Sequence, residues 1–110
     1  MANQYRLQLT KLKCNRKQDT VGRDDPKIVV DGRTVYGPGD IGKGETVNLN
    51  RTALFTSSAQ VQLIEVDAGN DDDMGTITVR GAAQVGQGDQ VGEFHRTHAD
   101  YELTYSVVAA

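Results

Sequence analysis

Tryptophan is absent from this chain, proline occurs twice and cysteine once, at Cys14. A single cysteine excludes an intrachain disulfide and any zinc site built mainly from thiolates. Nowhere do the roughly 18 consecutive apolar residues occur that a membrane-spanning helix needs. The opening MANQYRLQLTKLK also has no apolar stretch of the kind a signal peptide requires, so the expected location is cytoplasmic, or outside the cell by a route that leaves no such mark. Basic charge does not prevail, although Lys11, Lys13, Arg16, Lys17, Arg23 and Lys27 gather in the first third. With a formal net charge of -3, the chain is not expected to bind nucleic acid, because phosphate binding depends on concentrated Lys and Arg. Long amphipathic helical periodicity is missing throughout.

What is present is short-range alternation. The 110 residues fit a single domain, 1–110, with one core. Apolar residues make up 37% of the chain, and they fall in period-two runs, which is how a thin sandwich uses them. Tyr5, Leu7 and Leu9 followed by Leu12 and Cys14 predict a first strand with one slip, a bulge near Thr10. KIVVDGRTVYG predicts two paired strands around an Asp31-Gly32 turn. The glycine-rich 37–45 predicts a surface connection. Thr46 to Phe55 is strand-rich, and Ala59, Val61 and Leu63 with Ile64 and Val66 predict a central strand. Asp67 to Gly75 predicts a loop before the strand Thr76 to Val79. The segment 81–94 reads either as one helical turn or as a wide loop, and Tyr101, Leu103, Tyr105 and Val107 predict a closing strand. About seven to eight strands of this kind imply an all-β antiparallel sandwich, with a small barrel as the alternative.

Charge is uneven along this pattern. Acidic residues crowd into Asp19 to Asp25 and Glu65 to Asp73, and the run Asp71, Asp72, Asp73 is required by no turn type. Carboxylates so placed repel one another unless a cation relieves them, and a hard cation such as calcium takes six to eight oxygens. In the opposing reading these are soluble turns in which Asp, Asn and Gly serve the backbone alone.

Two stretches resemble a known family. Asp19-Thr20-Val21-Gly22-Arg23-Asp24-Asp25-Pro26 running into KIVV is similar to the first calcium loop of C2 domains, and Ile64-Glu65-Val66-Asp67 through Asp73-Met74-Gly75 resembles their third, in the expected order. The resemblance implies a C2-like β-sandwich that binds calcium. It places ligands at Asp19, Asp25, Glu65, Asp67 and one of Asp72 or Asp73, with Asp24 and Asp71 as nearby candidates. The family pattern has Asp where this chain has Glu65, and its third loop is longer. The resemblance also implies docking on anionic lipid or on a protein partner. Loop-tip insertion would gain little area, with only Val21 and Ala68 apolar there, whereas a basic face of Lys11, Lys13 and Lys27 would attract phosphates. The alternative function is a non-catalytic structural or adaptor sandwich that binds a protein or glycan without calcium.

Other motifs carry less. GPGDIGKG falls one residue short of a phosphate-binding loop and lacks its Ser/Thr and following helix. One copy of AGNDDDMGT cannot form a calcium β-roll, which shares ions between tandem repeats. His95 and His98, three apart in an extended segment, fall on opposite faces. Ser57, Ser58 and Ser106 lack a nucleophile context, and Cys14 sits in a strand pattern, so no enzyme activity is expected.

Overall fold

Alternation builds two sheets. The computed structural model describes residues 3–16, 24–66, 71–96 and 99–110. Eight strands run β1 (Tyr5–Arg16), β2 (Pro26–Val30), β3 (Arg33–Tyr36), β4 (Thr46–Phe55), β5 (Ser58–Glu65), β6 (Asp72–Arg80), β7 (Gln90–Arg96) and β8 (Ala99–Ala109), with one helical turn, α1 (Gly81–Gln84). They form two four-stranded antiparallel sheets, ordered β4-β1-β8-β7 and β3-β2-β5-β6. The inward rows meet between them: Leu7, Leu9, Leu12 and Leu103 from one sheet, Ile28, Val61, Leu63 and Val79 from the other, each essentially without solvent exposure.

Most strand signals fall where alternation puts them. Pairing of β1 with both neighbours slips between Leu9 and Lys11. Against β8, Thr10 is the extra residue, and it moves the buried set from odd to even positions, so Leu12 and Cys14 continue the row begun by Tyr5; against β4 the extra residue is on β4, between Asn48 and Arg51, where Asn50 has φ 52°. The β2–β3 turn has positive φ at both Asp31 (49°) and Gly32 (81°), the pattern a two-residue hairpin with the sheet's twist demands. β5 is an inner strand of its sheet, and Tyr101, Leu103, Tyr105 and Val107 all face the core.

Three expectations are corrected. The loop expected to last to Gly75 ends earlier: Asp72 and Asp73 already belong to β6, opposite Glu65 and Ile64. Their pairing continues the ladder, and a bulge between Leu63 and Ile64 resets the register before Gly75. The segment after β6 holds both a helical turn and a further strand, β7, which pairs with β8 along its whole length. Finally, Lys11 and Lys13 lie on β1 but Lys27 lies on β2, so the three do not share one basic face.

Candidate functional site

Antiparallel register decides which loops share an end. Pro26 lies opposite Glu65, and Glu65 opposite Asp72, so the start of β2, the end of β5 and the start of β6 are adjacent. Arg16 lies opposite Asp100 and Lys13 opposite Thr46, which brings the end of β1 and the starts of β4 and β8 to their own sheet's matching end. Main-chain bonds join the two ends: the Asp24 N–H donates to the Ile41 carbonyl at 3.0 Å and the Ile41 N–H returns to Asp24 at 2.9 Å, while the Gly44 N–H donates to the Cys14 carbonyl at 2.6 Å. Both acidic segments therefore issue from one end of the sandwich.

The predicted residues take different roles there. Asp24 has no solvent exposure, and its carboxylate accepts a hydrogen bond from the Tyr101 hydroxyl across the core. Burial, then the hydrogen bond and charge of Asp24 with Cys14 behind them, push the Tyr101 phenol far above its ordinary pKa. Asp25 is exposed and tied down through its backbone: its N–H donates to Glu65 Oε1 at 3.3 Å and its carbonyl accepts the Val66 N–H at 2.9 Å. Glu65 closes the inward row Ala59, Val61, Leu63 and is 1% exposed. Such a carboxylate is held inside only where protein donors replace water.

The aspartate run divides. Asp71 is exposed, and Asp72 is half-buried opposite Glu65. Asp73 takes the other face of the strand, where its Oδ1 accepts the Gly75 N–H at 2.9 Å. That bond, then the Gln62 side chain, and more weakly the charge of Arg96, hold the Asp73 carboxyl below the usual carboxylate range. Part of the repulsion in the run is thus relieved by the protein itself. Asp19 and Asp67 lie outside the described residues. Among the described residues, no three Asp, Glu, His or Cys side chains converge to hold an ion. The donors at this end are carboxylate oxygens on adjacent strand ends, Asp25 and Asp72 flanking Glu65, and that chemistry suits a hard cation.

His95 offers no such site: its Nε2 is 3.3 Å from Glu93 and its Nδ1 3.1 Å from Asp100, while His98 lies outside the described residues. Sequence reasoning missed Tyr101. It was legible only as a core residue of β8, because its partner Asp24 is 77 positions away and in the other half of the sandwich.

No family model matches the sequence, and no curated protein is a detectable relative. Solved structures do match in shape. The C2A domain of plant extended synaptotagmin 1 aligns with 99% of this chain and 96% of its own, at 14% identity and TM-score 0.64. A structure of the C2A and C2B domains of extended synaptotagmin 2 aligns with 98% of this chain and 41% of its own, at 12% identity and TM-score 0.70. Human GIVD cytosolic phospholipase A2 aligns with all of this chain but only 18% of its own, at 11% identity and TM-score 0.63. At such identities the likeness is one of fold, and the fold is a C2-like β-sandwich.

Proposed function

On this C2-like frame, we propose that the end carrying the two acidic segments binds calcium through carboxylate oxygens. The observation that supports it is register: Asp25, Glu65 and Asp72 stand on three neighbouring strand ends, each at the margin of an acidic connection. Asp25, Asp71 and Asp72 are the described residues that would hold the ion, joined by Asp19 and Asp67 from the segments between. Asp73 is less suited, being engaged by Gly75 and Gln62 on the outer face. Asp24 and Glu65 act from beneath, setting the first acidic segment against β8 and β5. Bound calcium supplies the positive charge that offsets repulsion among these groups. Docking on an anionic membrane or a protein partner is the use that the resemblance to C2 domains implies. The reading is of a binding module: Cys14 is wholly buried and the Ser106 hydroxyl is spent on Gln8.

Thermal unfolding with calcium and with chelator tests it. Ion at a hundredfold excess over Kd stabilises by about 2.7 kcal/mol, which for a domain of this size raises Tm on the order of 10 °C. Asp25→Asn with Asp72→Asn should abolish that rise. Unchanged melting at millimolar calcium defeats the proposal. Sedimentation with vesicles containing phosphatidylserine, with and without calcium, then separates membrane docking from ion binding alone.

A further inference from the structure

The two sheets are joined by a hydrogen bond to the main chain and close packing along one side and only by side-chain contacts along the other, among the described residues. On the first side the Arg96 Nε donates to the Asp73 carbonyl at 3.0 Å and Ile77 packs over Gly92, joining β6 to β7. On the other side, among the described residues, β4 pairs only with β1, and β3 only with β2. Between these two edges lies a cavity of about 420 Å³ walled by Val30, Val35, Ala53 and Leu54, with Arg33 beside them. Leu54 is 55% exposed there. Further along the same gap Arg51 of β4 stands 5.9 Å from the ring centre of Tyr36 of β3. A second hollow, of about 310 Å³, borders β4 and is lined by Gln8, Thr10, Asn48 and Asn50.

A strand sends successive side chains to opposite faces, and an edge strand presents a row of main-chain donors and acceptors to any extended chain. We propose that the free edge of β4 takes up an extended segment of a partner protein as an added strand. On the cleft side that segment carries an aliphatic residue flanked, two positions away on each side, by acidic residues facing Arg33 and Arg51. On the other side it carries small polar residues facing the amides of Asn48 and Asn50. Charge selects this occupant. β3 and β4 together hold Arg33 and Arg51 and no acidic residue. The carboxylate bordering the cleft, Asp31, directs its Oδ1 to the Gln60 N–H at 2.9 Å. A second copy of this chain fits less well, because antiparallel pairing of two β4 strands about their midpoint brings both Arg51 side chains close to that centre, with no acidic residue on either strand to offset them.

The site is separate from the acidic end, so its test is run in chelator. Isotope-labelled protein is titrated with a short capped peptide in which Glu, Val, Glu alternate with Ser, and amide shifts are followed by NMR. The expected shifts map to 33–35 and 46–55, with binding about tenfold weaker for Arg33→Glu, an exposed substitution that opposes like charges. A peptide N-methylated along the pairing edge should not bind. The proposal is overturned by an absence of shifts at millimolar peptide, by shifts elsewhere, by equal binding of the N-methylated peptide, or by β4 edge amides protected in a peptide-free dimer.

Discussion

Tyr101 and Asp24 form a buried polar pair. The hydroxyl reaches from β8 to a carboxylate without solvent exposure, and removing it leaves a buried acceptor short of a donor. Tyr101→Phe should therefore lower stability by about 1 to 3 kcal/mol, read by urea unfolding, whereas Asp24→Asn, which retains an acceptor oxygen, should cost less. The direction of the phenol's shift adds a pH dependence. A folded pKa raised above the unfolded one leaves stability intact below about pH 10, the unfolded value, and removes it as pH climbs beyond. Tyr101→Phe should flatten that alkaline loss, and an unchanged alkaline limb would contradict the assignment. Asp73 works in the opposite sense. Its lowered pKa gives stability that is present above the ordinary carboxylate range and lost as acid protonates it. Asp73→Asn should lower stability at neutral pH and make it less sensitive to acid, as unfolding at pH 7 and pH 3 would reveal.

Among the elements, the β2–β3 hairpin isolates a backbone effect. Gly32 sits at φ 81° with nothing within 4 Å of a would-be Cβ, so Gly32→Ala meets no clash and should cost about 1 kcal/mol from conformation alone. A loss of several kcal/mol would mean the turn does more than reverse the chain. Such elements were legible because period-two alternation and turn chemistry are local. The slip at Thr10, the Asp31-Gly32 turn and the buried row of β8 all follow from neighbouring residues. What local pattern could not supply was the start of β6. Asp72 and Asp73 have poor strand propensity, yet the ladder with Glu65 and Ile64 carries them. Nor did it supply β7, whose short, glycine-interrupted QVGEFHR is held by its long partner β8.

At the scale of the whole molecule, the acidic end emerges from topology. Asp25 was legible as an acidic residue at a strand margin and Asp72 only as part of an acidic loop, and only the order β3-β2-β5-β6 places Glu65 between them. The split in burial was not legible: alternation turns Asp24 and Glu65 inward and leaves Asp25 and Asp71 exposed. The most direct measurement is an NMR titration of the metal-free protein with calcium chloride, with magnesium as control. Saturable shifts at the amides of Asp25, Glu65, Val66, Asp71 and Asp72, absent in Asp25→Asn with Asp72→Asn, are the predicted result. Amides at that end that stay unmoved at millimolar calcium, or shifts confined to the opposite end around the Asp31-Gly32 turn, would contradict the account.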